Sequence, residues 1–221
     1  MRVLVNGIEI YYEAEGSGPP IILLHGNGED HRIFDRLVDD LKNEYTVYSL
    51  DTRGHGQSGK VDSFHYADMV NDVAAFIQEL KLNRPLLYGF SDGGIVGLML
   101  ASEHPEMLSG LIASGVNLTP NDLKGWFRTM IKMQNFFRKD PMLKLMLDEP
   151  NITGNDLKKI EIPVLITVAK KDIVSISHAE YIAEKIRNCK LLVIPEEDHG
   201  SYVIHSEKLF PLISDFLKEV K

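Results

Sequence analysis

A serine, an aspartate and a histidine stand in this chain where nucleophilic catalysis would need them. Gly89-Phe90-Ser91-Asp92-Gly93-Gly94 follows the apolar run Leu86 to Tyr88 and opens a helical stretch. Glycines at 89 and 93 suit a strand-to-helix turn so sharp that side chains there would strike neighbouring backbone. Such a turn strains Ser91 and projects its hydroxyl from the tip. The Asp92 N–H, first on the helix behind, then faces the point where an attacked carbonyl would gather negative charge. By itself the motif also suits a plain turn with Ser91 as helix cap. The reading tightens because a base and an acid follow in order. Asp172 comes after the apolar run Val164 to Ala169, and His199 after Leu191 to Ile194. His199 would take the Ser91 proton and Asp172 would orient the histidine, which is the chemistry of acyl transfer through an acyl-enzyme. Asp198 adjoins His199 in sequence, and adjacent side chains seldom face each other, so it reads as a loop residue.

Those three residues must be brought together by the elements around them. Val3 to Val5 and Ile8 to Tyr12 flank Asn6-Gly7, a tight-hairpin signal. Ile21 to Leu24, Thr46 to Leu50, Leu86 to Phe90, Gly110 to Val116, Val164 to Ala169 and Leu191 to Ile194 complete a set of eight predicted strands. Between them, Phe34, Leu37, Val38 and Leu41 share a helical face, as do Met69, Val73, Phe76, Ile77 and Leu80. Helices are also predicted over Ile95 to Glu103, Ile176 to Ile186 and Leu209 to Leu217. Apolar strands alternating with amphipathic helices imply an α/β fold: an eight-stranded, mostly parallel sheet with helices on both faces. In such sheets, functional groups gather past the carboxyl ends of the strands, where Ser91, Asp172 and His199 all fall.

Residues 118–160 break the alternation. They hold no convincing strand and are rich in Met, Phe and Lys. The reading is a small helical cap inserted into a core formed by 1–117 and 161–221, with Trp126, Phe127 and Met130 as candidate substrate-binding residues alongside Met133, Phe136 and Phe137. Asp92 is open to two readings. Its carboxylate could receive a substrate amino group, or it could serve only the helix N-terminus.

Four segments in order resemble the α/β-hydrolase superfamily over essentially the whole chain: His25-Gly26-Asn27-Gly28, Asp51-Thr52-Arg53-Gly54-His55-Gly56-Gln57-Ser58, residues 89–94, and Asp198-His199-Gly200. Within it, the chain looks like small serine carboxylesterases similar to valacyclovir hydrolase. The resemblance implies that 25–28 is an oxyanion loop, with the Asn27 N–H opposite that of Asp92, and that 51–58 is mostly structural. Some members carry the triad acid after the sixth strand. Here that stretch is Ser114-Gly115-Val116-Asn117, without a carboxylate, which leaves Asp172. The implied function is hydrolysis of small carboxylic esters. Amide or carbon–carbon bond hydrolysis, perhydrolysis, or ligand binding with little turnover are the alternatives on the same fold.

Composition narrows the rest. The formal net charge is −8 across 221 residues, and no basic run appears, so a nucleic-acid partner is not expected. Cys189 is the single cysteine and fits no metal spacing. No dinucleotide, phosphate-loop or His-x-x-x-His pattern occurs, so neither cofactor nor metal is expected. His31, His65, His104, His178 and His205 read as structural. There is no signal-like leader and no stretch of about 18 apolar residues, so a cytoplasmic protein without a membrane partner is expected, as monomer or homodimer.

Overall fold

Asn6 and Gly7, at φ 48° and 78°, close a hairpin between β1 (Arg2–Val5) and β2 (Ile8–Gly16) in the computed structural model, which describes residues 1–220. The remaining strands are β3 (Pro20–Leu24), β4 (Thr46–Leu50), β5 (Leu86–Phe90), β6 (Gly110–Ser114), β7 (Val164–Lys171) and β8 (Cys189–Asp198). They form one sheet in the order β1-β2-β4-β3-β5-β6-β7-β8. The first two pairings are antiparallel and every pairing from β4 to β8 is parallel.

Side chains alternate across this sheet as strand geometry requires. Ile22, Leu24, Leu87, Leu111 and Ile166 enter one core, beneath α2 (Tyr66–Glu79), α3 (Asp92–Glu103) and α7 (Ile176–Lys185). Ile21, Leu23, Leu86, Tyr88 and Ile112 enter the other, beneath α1 (Asp35–Leu41) and α8 (Leu209–Glu219). The central strands are therefore apolar on both faces, and their runs read as continuous rather than alternating.

Strand ends differ from the sequence reading in ways that matter. Gly115, at φ 65°, stops β6 at Ser114, two residues earlier than predicted. Meanwhile β7 and β8 run on past Ala169 and Ile194, with a register shift between Ala169 and Lys171. Charged and polar residues mask those extensions in the sequence, yet they carry Asp172 and His199 out to the rim.

Between β6 and β7 lie a short turn of helix at Pro120–Asp122, then α4 (Gly125–Arg138), α5 (Pro141–Asp148) and α6 (Gly154–Leu157). Helix α4 starts after Lys124 and ends at Lys139, which takes the left-handed conformation. The Asp140 side chain accepts the Met142 N–H, and Pro141 occupies the first turn of α5, so one helix stops and the next starts within three residues. Leu157 and Ile160 are fully buried, with α6 packed against α3 and α7. The last turn of the excursion thus belongs to the sheet's core packing. No described helix is long and apolar enough to cross a membrane.

Candidate active site

The turn between β5 and α3 puts Ser91 at φ 52°, ψ −115°, a strained backbone for a residue with a Cβ. It survives because the neighbours allow no relaxation. A Cβ on Gly89 would strike the Gly93 carbonyl oxygen, and one on Gly93 would strike that of Leu24. The Ser91 N–H donates to Ser114 O at 2.8 Å, and Gly93 N–H to His25 O at 3.1 Å, so the turn is tied to strands on both sides.

The three residues separated in sequence meet here. His199 Nε2 lies 3.1 Å from Ser91 Oγ, and His199 Nδ1 lies 2.6 Å from Asp172 Oδ1. Asp172 is completely buried. Its carboxylate also accepts the N–H groups of Ile173 at 2.7 Å and Ala169 at 3.1 Å, which fix its orientation. The Phe90 ring packs 4.9 Å from the His199 ring. Gly115 is needed at its position, because a Cβ there would come within 2.7 Å of His199 Cε1. Asp198 points elsewhere: its carboxylate accepts the N–H groups of Gly200 and Ser201.

The loop after β3 closes over the same point. Among the described residues, neither the Asn27 N–H nor the Asp92 N–H donates to a loop or turn acceptor. The Asn27 side chain donates to Asp92 Oδ2 at 3.0 Å and to Met142 O at 3.3 Å, joining this loop to α5. Glu29, which the sequence reading passed over, accepts the Gly26 N–H at 2.9 Å. Burial raises its carboxyl above the ordinary range, against the opposing pull of that N–H. No sequence signal beyond its place in the loop marks it.

A cavity of about 220 Å³ opens at Ser91 and His199, walled by Asn27, Glu29, Phe127, Met130, Ile131 and Met146 among others. Two expectations about it need correction. Trp126 does not line it. Helical steps of about 100° put positions 127, 130, 131 and 134 on the inward side of α4 and turn 126 outward, where Trp126 is largely exposed and its ring meets that of Phe127 in a T-shaped contact. Nor does the Asp92 carboxylate reach it. That group is 5% exposed and is held by Asn27 and by the Tyr66 hydroxyl, which donates to Oδ1 at 2.8 Å. Burial raises its pKa, while these two donors lower it. A substrate amino group therefore has no access to Asp92.

Residues 51–58 brace the site from behind. The Asp51 carboxylate accepts the N–H groups of His31 at 2.8 Å and Gln57 at 2.7 Å, and Arg53 pairs with Asp72 at 2.7 Å. His25 bonds through Nδ1 with Gly26 O at 2.8 Å and accepts the Thr52 N–H at Nε2 at 3.0 Å.

Burial foremost, then the neighbouring His55, lowers the His25 pKa from 6.5 to about 4. Between these values the unfolded chain binds a proton that the folded chain refuses. Stability therefore falls as pH falls from 6.5 towards 4, by about 3 kcal/mol from this group. Burial lowers His55 and His178 as well, in the same direction. Urea unfolding is expected to show a lower midpoint at pH 5 than at pH 7, with a shallower dependence in His25→Gln. Equal pH dependence in the two proteins would remove His25 from that account.

With this geometry in view, a family model described as alpha/beta hydrolase fold matches residues 19–141. Serine hydrolase BPHL of Homo sapiens is 26% identical over 251 residues, covering 98% of this chain and 86% of that protein. A pimeloyl-acyl-carrier-protein methyl ester esterase of Neisseria meningitidis is 26% identical over 243 residues, covering 90% of this chain and 92% of its own. Among solved structures, a thermophilic esterase from Thermogutta terrifontis superposes with TM-score 0.83 at 23% identity, over 100% of this chain and 99% of the other. The meta-cleavage product hydrolase CumD of Pseudomonas fluorescens gives 0.81 at 18%, over 100% and 98%. These structural likenesses are likenesses of fold.

Proposed function

This chain belongs to the alpha/beta hydrolase fold family, and on that premise we propose that it is a serine hydrolase that cleaves small carboxylic esters through an acyl-enzyme on Ser91. One observation carries the reading: Ser91 Oγ, His199 and Asp172 form a continuous hydrogen-bonded line, with contacts of 3.1 and 2.6 Å. The esterase among its sequence relatives supports the same class of reaction.

In this mechanism His199 Nε2 takes the hydroxyl proton as Ser91 Oγ attacks the ester carbonyl. The N–H groups of Asn27 and Asp92 hold the oxyanion, each contributing a few kcal/mol in the transition state. His199 then gives the proton to the departing alcohol, and water releases the acyl group by the reverse sequence. Asp172 stays ionised and fixes the Nδ1–H tautomer. Within residues 118–160, α4 and α5 act as the cap over the cavity, and Phe127, Met130 and Ile131 form an apolar wall for the acyl chain. Met-rich walls adapt in shape, so selectivity among neutral acyl groups should be modest.

Glu29 supplies the charge selectivity that Asp92 cannot. A carboxylate beside the reacting carbonyl disfavours an acyl group that is itself anionic. The test is a set of p-nitrophenyl esters, neutral against carboxylate-bearing, of equal chain length. Wild type is expected to prefer the neutral ester, and Glu29→Gln to narrow that preference about tenfold, since glutamine keeps the acceptor for Gly26 but loses the charge. An unchanged ratio would leave Glu29 as a loop brace only. No turnover of any ester would reject the esterase reading itself.

A further inference from the structure

Among the described residues, four of the nine exposed large hydrophobic side chains lie on one helix: Trp126 at 61%, Met133 at 59%, and Phe136 and Phe137 each at 77%. By the helical step, positions 126, 133, 136 and 137 of α4 fall in one arc of about 100°. That arc borders the inward stripe of Phe127, Met130 and Ile131 at the cavity over Ser91. Arg128 and Lys132 fall in the next arc. Lys124, Arg128, Lys132, Arg138 and Lys139 put five cations between 124 and 139 with no acidic residue among them, in a chain of net charge −8. Lys124 bonds inward to Asp172 O, and Arg128 to Asn121. Lys132, Arg138 and Lys139 enter none of the ion pairs or side-chain hydrogen bonds of the described residues.

We propose that α4 docks onto an anionic lipid surface through this outward aromatic edge. Aromatic and apolar side chains on one side, with the cations Arg128 and Lys132 in the arc beside them, are what a helix lying in a bilayer interface requires. Charge selects the occupant. A second copy pairing through the same face would bring one cationic helix against another, whereas anionic headgroups neutralise both the edge and its flank. The sequence expectation of no membrane partner addressed spanning segments, and a helix lying flat needs none. Docking places the mouth of the Ser91 cavity at the lipid surface, but it does not depend on the esterase reading.

Trp126 is the only tryptophan and sits on the docking edge, so its fluorescence reports directly. With vesicles of phosphatidylcholine containing phosphatidylglycerol, its emission is expected to move to shorter wavelength. Binding should be on the order of thirtyfold tighter than to phosphatidylcholine alone, as the two cations in the arc beside the edge, Arg128 and Lys132, imply at about 1 kcal/mol each, and should weaken with added salt. The double variant Phe136→Ser/Phe137→Ser is expected to lose the shift while hydrolysing p-nitrophenyl acetate, a water-soluble ester, as wild type does. Three results would overturn the proposal: no shift with either vesicle, equal binding to both, or a shift that grows with protein concentration in lipid-free buffer and disappears in the double variant. The last would assign the face to a second copy.

Discussion

Replacing Ser91 by alanine is expected to lower turnover of p-nitrophenyl acetate by about four orders of magnitude or more, with little change in the unfolding midpoint. The size follows from the role. Without the hydroxyl no acyl-enzyme forms, and the amides of Asn27 and Asp92 can assist only direct attack by water. The small effect on stability follows from the structure. The Ser91 hydroxyl makes one hydrogen bond, to His199 at 3.1 Å, and stands at a partly exposed tip. Alanine tolerates the φ of 52° about as poorly as serine does, and the surrounding ties through Ser114 O and His25 O remain. A fluorophosphonate probe should label the wild type and leave the variant unlabelled. Retention of more than a small fraction of turnover would overturn the assignment of the nucleophile.

Asp172→Asn should reduce kcat by about three to four orders of magnitude with little effect on KM. An asparagine amide facing His199 Nδ1 favours the tautomer with the proton on Nε2, the atom that must accept the Ser91 proton. It also removes the buried charge that stabilises the imidazolium. Some stability should be lost with it, because the carboxylate also takes the N–H groups of Ile173 and Ala169. Asp198→Asn is the control. That side chain is on the surface and braces only the turn at Gly200 and Ser201, so its effect on kcat should stay below about tenfold. If the two variants exchanged effects, Asp198 would be the acid, and the 2.6 Å contact of Asp172 with His199 would have to be purely structural.

Much of this was legible in the order of residues. The Asn6-Gly7 hairpin, the eight strands and the glycine spacing around Ser91 are local matters: a turn needs positive φ or an absent Cβ, and a buried strand needs an unbroken apolar run. Chain order and strand ends were enough to single out Ser91, Asp172 and His199, because a parallel sheet delivers successive strand ends to one rim.

Where a polar side chain points was another matter. The carboxylate of Asp92 could face a substrate or the interior, and it faces the interior because Tyr66, 26 residues away, and Asn27, 65 residues away, put donors there. Glu29 entered the cavity because the loop after β3 folds back so that its carboxylate meets the Gly26 N–H. On α4, the aromatic cluster looked like one pocket wall in sequence and proved to be two edges, one inward and one outward. Periodicity tells which residues share a face but not which face meets the sheet. The sequence alone determined the fold and the strand ends that bring Ser91, Asp172 and His199 to one rim, since backbone sterics and strand order act through near neighbours. The tertiary structure alone decided the charge and walls of the cavity, since those depend on which distant side chains supply a partner when burial would otherwise leave a polar group unsatisfied.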